Sequence, residues 1–308
     1  VARLSDEQRR ARRARAKRAR RRRRHLAGGA LLGVVALIAG LALFASGSDP
    51  TGDAVAEAEA TVARDAPAAD GGRAAGRARE RAVPKVAIDA IPPLRAGTAE
   101  VVQRGPAAGR KVALTFDDGF CADCVTTLIR QLERTGAHAT LFPNGTYGSS
   151  WAPHARAIRR LVAAGQVIVG SHTFSHVDSP AVGAAAFGAD LDRNERWIQQ
   201  TFGLTGRPYL RPPYGAYDAG TLAAAGERGY TKVVMWSGTV ADSNLRSRAY
   251  ILNAIEHWAR PGAIILLHAN YPPTAEALPE IVRILRRKRL RTATLQELIG
   301  GSPYRPAG

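Results

Sequence analysis

Two adjacent carboxylates, Asp117 and Asp118, end a short apolar run and precede Gly119, where the chain can turn sharply. Carboxylates placed so close can divide labour, one binding a cation while the other takes a proton. Farther along, His172-Thr-Phe-Ser-His176 sets two imidazoles four residues apart. On a helical turn that spacing puts both on one face, as a divalent metal requires. With Asp118 they compose a two-histidine, one-carboxylate set with open positions, suited to Zn2+ and less specifically to Fe2+, Co2+ or Ni2+. An ion in such a site binds and acidifies water. Leu210-Arg-Pro-Pro-Tyr-Gly215 offers Arg211, which can clamp a carboxylate, in a backbone stiffened by prolines that could aim an N–H at an oxyanion. Leu266-Leu-His268 ends on a histidine, whose titration near neutrality suits a general acid. Taken singly, each has a blander explanation: a turn, a solvated face, a Pro-rich loop, a packed core histidine.

What lifts them above those explanations is the regular frame in which they recur. From Lys111 onward, strand-sized apolar runs alternate with amphipathic stretches. The runs are Val112–Phe116, Ala139–Phe142, Val167–Val169, Pro208–Leu210, Lys232–Trp236, Ala263–Leu267 and Arg291–Leu295. The spacing predicts helices over 122–135, 154–164, 184–202, 218–229, 247–259 and 277–288. Seven strands alternating with helices predict an α/β fold with a mostly parallel sheet, closed or nearly closed as a barrel. In such folds chemistry gathers at the C-terminal ends of the strands, where the four motifs fall.

The rest of the chain has a different texture. The 308 residues carry 44 Lys+Arg and 26 Asp+Glu, a net charge of +18, which is unevenly distributed. Residues 1–25 hold 13 basic and 2 acidic side chains, residues 26–106 hold 8 and 9, and residues 107–308 hold 23 and 15. Leu26–Ala45 is 20 residues without a charge, enough at about 1.5 Å per residue to cross roughly 30 Å of hydrocarbon. The expectation is one transmembrane helix over 26–45, a basic cytoplasmic arm over 1–25, and everything after residue 45 extracytoplasmic. A cleaved signal peptide has a shorter apolar region and a better cleavage site than Leu43-Phe44-Ala45. An arm abutting a membrane span serves topology and anionic lipid more simply than nucleic acid, so no nucleic-acid partner is expected. A buried core helix fits poorly with the polybasic flank. Residues 46–106, rich in Ala, Gly, Arg, Asp and Glu, are expected to form a flexible linker, residues 107–300 the catalytic domain and residues 301–308 a tail. The basic stretch Arg283–Arg291 is read as a solvated face.

Taken together and in order, these motifs resemble those of the NodB-homology polysaccharide deacetylases, carbohydrate esterase family four, over roughly Lys111 to Leu298. The resemblance implies a distorted (β/α)7 barrel of the glycoside hydrolase/deacetylase type and a metal-dependent hydrolase that removes acetyl from N-acetylated amino sugars of a cell-wall or surface polysaccharide. It further implies Asp118, His172 and His176 as ligands of a divalent metal, foremost Zn2+, and Asp117 as the base activating metal-bound water. Arg211 would orient Asp117, Tyr214 would give its backbone N–H to the oxyanion, and His268 would protonate the leaving amine. An O-acetyl esterase using the same site, or a weakly catalytic glycan-binding relative, are the alternatives.

Two stretches depart from the family pattern. Where it has Asp-x-x-Asp-Trp, this chain has Thr239-Val-Ala-Asp242-Ser243, so support for His268 rests on Asp242 alone. After Gly119 comes Phe120-Cys-Ala-Asp-Cys124, where many relatives have a Pro-containing loop. A C-x-x-C at a helix start can be a redox motif, a pair of metal ligands or a disulfide. With no other cysteine and an extracytoplasmic expectation, a structural disulfide between Cys121 and Cys124 at the substrate rim is favoured. That stretch, with Pro143-Asn-Gly145 and His268-Ala-Asn270, is similar to a membrane-anchored branch of the family from high-GC Gram-positive bacteria. Trp197 and Trp258 are expected in the core, and Trp151, Tyr147 and Tyr271 in loops where they could stack on a glycan.

Overall fold

The computed structural model describes residues 88, 90–302 and 304. The expected membrane span over 26–45 and its basic arm lie outside the described residues. No helix among the described residues is long and apolar enough to cross a membrane.

The strands are β1 (Glu100–Val102), β2 (Lys111–Asp118), β3 (Ala139–Pro143), β4 (Val167–Val169), β5 (Tyr209–Leu210), β6 (Lys232–Val234), β7 (Gly238–Thr239), β8 (Ile264–His268) and β9 (Arg291–Ala293). The helices that shape the barrel are α1 (Ala122–Thr135), α2 (Ala155–Ala163), α3 (Ala184–Phe202), α4 (Ala219–Glu227), α5 (Arg248–Trp258), α6 (Leu278–Arg287) and the short α7 (Leu295–Ile299). Every strand pairing is parallel, as strands separated by crossover helices must be. Central β2 is buried along nearly its whole length, with Val112, Ala113, Leu114 and Phe116 apolar, the pattern of a strand covered on both faces. α1 shows the complementary logic: Val125, Leu128, Ile129 and Leu132 form one buried stripe, and Gly136, in the left-handed region, ends the helix.

One sheet runs β4-β3-β2-β8-β7 with β9 also on β2, and a second runs β1-β6-β5. A single parallel bridge, Ser171 to Leu210, links the β4 and β5 sides. The strands β2 to β8 thus follow one another around an incompletely hydrogen-bonded barrel. Ala113, Phe142, Ile168, Tyr209, Val234 and Ile264 meet Leu295 and Leu298 of α7 in an inner core. A buried aliphatic side chain there contributes about 1.5–3 kcal/mol. With α7 packed into this core, the chemistry is left to the C-terminal strand ends.

Three sequence expectations need correction. The linker expected over 46–106 does not extend to its stated end, because β1 lies inside it and pairs with β6. Arg104 then bridges Ala263 beside β8, so this strand extends the barrel wall between β6 and β8. Ahead of it, Gly97 N–H donates to Gly226 O, and a Cβ on Gly226 would sit 2.2 Å from Gly97 O, so α4 admits this segment only with glycine there. The tail expected from residue 301 also begins inside the fold, since Tyr304 is buried and its hydroxyl accepts from Thr205 N–H. Finally, the run Arg291–Leu295 is strand only to Ala293. Thr294 and Glu297 form a capping box that starts α7 at Leu295.

Candidate metal centre and active site

A regular strand sends successive side chains to opposite faces. Asp118, the last residue of β2, escapes this by adopting φ +67°, which brings its carboxylate to the same place as that of Asp117. Asp117 Oδ2 lies 3.8 Å and Asp118 Oδ1 3.5 Å from His172 Nε2. The turn is held by Trp151, whose indole N–H donates to Asp118 O at 2.7 Å. Gly119 has φ +109°, and a Cβ there would lie 2.2 Å from Trp151 Nε1, so the glycine of Asp-Asp-Gly is required twice over. Trp151 was expected as a loop aromatic facing glycan. It is instead fully buried beneath the site.

The two histidines were expected on a helical turn. They lie on an irregular segment after β4, drawn together by positive φ at Thr173 and His176. Asn144 donates to the carbonyls of both His172 and Thr173 and fixes this loop from below. His172 Nδ1 faces Arg211 O at 2.7 Å, so that nitrogen carries the proton and Nε2 presents its lone pair. His176 Nε2 lies 3.4 Å from the same Asp118 Oδ1. Burial, reinforced by neighbouring His172, lowers the His176 pKa against the pull of the carboxylates and favours the neutral imidazole a metal needs.

The donor set fits a divalent ion on two further counts. Asp118 Oδ1 is buried with no hydrogen-bond partner, a costly state unless something else occupies its lone pairs. A tetrahedral ion with bonds of about 2.0–2.1 Å holds its ligand atoms roughly 3.4 Å apart. The separations from Asp118 Oδ1 to the two imidazoles, 3.5 and 3.4 Å, match that edge. Burial raises the Asp118 pKa, but the electrostatic pull of the facing His172 and His176 rings, the Asn270 amide and His268 together outweigh it and hold the carboxyl below its ordinary range.

Arg211, directly after β5, has no solvent exposure. Its Nη1 donates to Asp117 Oδ1 at 2.8 Å and Thr115 Oγ1 at 2.7 Å, and its Nε and Nη2 to the carbonyls of Val234 and Met235. Every arm of the guanidinium is therefore fixed, and Asp117 is left with Oδ2 directed toward His172. On the other side, His268 ends β8 in register with Asp117. Asp242 Oδ1 accepts from His268 Nδ1 at 2.8 Å, while its Oδ2 accepts from His268 N–H and Thr274 Oγ1. Burial lowers the His268 pKa, but the Asp242 bond and charge, with Asp117 and Asp118, hold it above the ordinary histidine value. The departures at Thr239 and Ser243 thus leave His268 supported: Thr239 Oγ1 accepts from Ala241 N–H, and Ser243 is exposed.

Tyr214 sits in the turn after β5 at φ +61°, 71% exposed, with its ring edge-on to His176 at 4.6 Å. Asp118, Thr173, His176, Tyr214 and Ala241 are five of the seven non-glycine residues with positive φ among the described residues. Backbone strain concentrates where the site is built, as expected of a functional centre. Cys121 and Cys124 are disulfide-bonded, and Cys121 caps α1. Beside them Phe120, 47% exposed, meets Tyr271 and Tyr147 edge-on at 5.5 and 6.1 Å, an aromatic rim at the mouth. Trp197 and Trp258 are half-buried against the main core.

Sequence alone assigned no supporting role to Asn270, Asn144 or Thr274, and read Trp151 as a surface aromatic. Their one signal was position, since Asn270 and Thr274 follow His268 closely. Nothing in spacing alone reveals Trp151 or Asn144 as supports.

A family model described as polysaccharide deacetylase matches residues 104–233. A chitooligosaccharide deacetylase from Bradyrhizobium is 32% identical over 167 residues, 54% of this chain and 74% of that protein. A Bacillus cereus peptidoglycan-N-acetylglucosamine deacetylase is 28% identical over 65% of this chain and 72% of its own length. Among solved structures, a family 4 carbohydrate esterase from Streptomyces lividans, in complex with acetate, superposes with TM-score 0.54 at 29% identity, covering 63% of this chain and 94% of that one. A Bacillus anthracis pseudoenzyme of the same family superposes with TM-score 0.58 at 21% identity, over 66% and 69% of the two chains. At that identity the likeness is one of fold alone. The motifs, their placement at the strand ends and these relatives agree: the chain belongs to the polysaccharide deacetylase family.

Proposed function

We propose that this protein hydrolyses the N-acetyl groups of amino sugars in a cell-wall or surface polysaccharide. The reading is carried by one arrangement: two buried dyads, Arg211–Asp117 and Asp242–His268, flank the Asp118, His172 and His176 triad. Asp118, His172 and His176 would hold a divalent ion, which would supply Lewis acidity to a water and an acetyl carbonyl at neutral pH. Asp117, fixed by Arg211, accepts the proton of the attacking water. The Tyr214 backbone N–H donates to the developing oxyanion, in a dry site a contribution of about 2.7–4 kcal/mol. His268, whose protonated form Asp242 favours, gives its Nε2 proton to the departing amine, and acetate and a free amino sugar leave.

The aromatic rim of Phe120, Tyr147 and Tyr271 offers faces on which sugar rings stack, which supports a polymeric glycan rather than a small amide. For localisation, the uncharged run 26–45 behind its basic arm supports a single-pass anchor with the domain extracytoplasmic. The Cys121–Cys124 disulfide fits an oxidising compartment. Acetate release by the full chain is the test, using N-acetylglucosamine oligomers, purified peptidoglycan and an O-acetylated glycan with matched acetyl content. N-acetyl substrates are expected to be preferred. Release confined to the O-acetylated glycan would establish an esterase, and release from none would leave a glycan binder.

A further inference from the structure

We infer that Asn270 is a positioning residue for the metal ligand Asp118, setting which carboxylate oxygen faces the two histidines. The inference rests on the assignment of Asp118, His172 and His176 as metal ligands, not on turnover.

The parallel pairing of β2 with β8 puts Asp117 opposite His268, and Ala269 N–H continues the ladder onto Asp117 O. Two residues beyond His268, Asn270 therefore comes against the turn that follows Asp118. It is 5% exposed. Its Nδ2 donates to Asp118 Oδ2 at 2.8 Å, and its Oδ1 accepts from Gly119 N–H at 3.1 Å and Phe120 N–H at 3.4 Å. The amide orientation is unambiguous, since a carboxylate faces only donors and a peptide N–H only acceptors.

Asp118 needs such a brace. At φ +67° its backbone is in a region that disfavours side chains, and a free aspartate carboxylate would rotate toward any donor. Occupying Oδ2 leaves Oδ1 as the oxygen directed at His172 and His176, the same atom that is buried without a hydrogen-bond partner. The residue type follows from the two demands. An aspartate at 270 would set a second carboxylate against Oδ2. An arginine would neutralise the charge that the ion requires. A neutral amide donates to one oxygen and, through its own oxygen, locks the Gly119 turn. Outer partners of this kind, when removed, typically weaken metal affinity by about 10- to 100-fold.

The test is a double-mutant cycle read in Zn2+ affinity. The metal-free full chain is titrated with Zn2+ against a chromophoric chelator, as wild type, Asn270→Ala, Asp118→Ala and the double variant. Asn270→Ala should weaken Zn2+ binding by about 10- to 100-fold in the wild-type background. In the Asp118→Ala background, where two histidines remain, it should cost less than about twofold, because a residue acting through Asp118 has nothing left to position. Equal losses in both backgrounds would mean general damage and would overturn the inference, as would an unchanged affinity in the wild-type background. Should Asn270→Ala fail to fold, the near-isosteric Asn270→Leu, which keeps the volume but cannot donate to Asp118, takes its place in the same cycle. An inactive protein that keeps this coupling would sink the deacetylase reading and leave the role of Asn270 standing.

Discussion

Replacing Asp242 by asparagine separates the roles of acid and base. Asp242 is 1% exposed and makes three hydrogen bonds, of which the 2.8 Å contact to His268 Nδ1 matters to chemistry. Asparagine keeps the volume and retains an oxygen for the backbone N–H or for Thr274, but removes the charge that favours the imidazolium. A charge-assisted hydrogen bond of this kind contributes about 1.5–3 kcal/mol. At 1.36 kcal/mol per tenfold, its loss from the transition state slows N-acetyl hydrolysis by roughly 10- to 150-fold in kcat/KM. The sign of the pH effect follows. Asp242 helps hold the His268 pKa above its ordinary value, so the acid form survives to higher pH in the wild type, and in Asp242→Asn the alkaline limb of the rate profile moves to lower pH. An activated aryl acetate, whose leaving group needs no proton, should lose less than about threefold. The assay is acetate release from an N-acetylglucosamine oligomer beside aryl acetate hydrolysis, both across pH 5 to 10 or so. Equal losses on amide and ester, with an unmoved alkaline limb, would refute His268 as the acid.

Breaking the other dyad should show first in stability. Arg211→Met strands the buried Asp117 carboxylate, a change that costs about 3–5 kcal/mol, and the melting temperature should fall by roughly 10 °C. Adding Asp117→Asn removes the stranded charge and should restore part of that loss by calorimetry; a further drop would contradict the ion-pair explanation. Phe120→Ala removes the exposed member of the aromatic rim, and at about 1 kcal/mol for such a contact the KM for an oligomeric glycan should rise roughly fivefold, with the aryl acetate unaffected. A loss shared by both substrates would place Phe120 in the chemistry instead.

Much of the fold was legible because its period is strong. The helices expected over 122–135 and 184–202 occur at those limits, and the other four end within two residues of the expectation, since apolar stripes and strand runs alternate cleanly. The short strands β4, β5, β6 and β9 fell within apolar or β-branched runs, but β1 and β7 lie in no such run. β1 and β7 become strands only through partners far away in sequence, Lys232–Val234 and Ile265–Leu266. The helix α7 was readable, because Thr294 and Glu297 spell a capping box, yet the β-branched residues before it masked the switch. At the site, motif order located Asp117, Asp118, His172, His176, Arg211 and His268. What spacing could not convey was the backbone. His172 and His176 meet through positive φ in a loop, not through a helix, and the supports Asn270, Asn144 and Trp151 act from parts of the fold that sequence order keeps apart.

The proposed division of roles, with Asp118 as ligand and Asp117 as base, is open to one direct measurement: acetate release from an N-acetylglucosamine oligomer, with bound Zn2+ counted in the same samples, for the full chain and Asp117→Asn. A retained metal with turnover reduced by a factor of 10² or more, the scale of general-base catalysis, is the expected result. Loss of the metal in Asp117→Asn, or full turnover without that carboxylate, would contradict it.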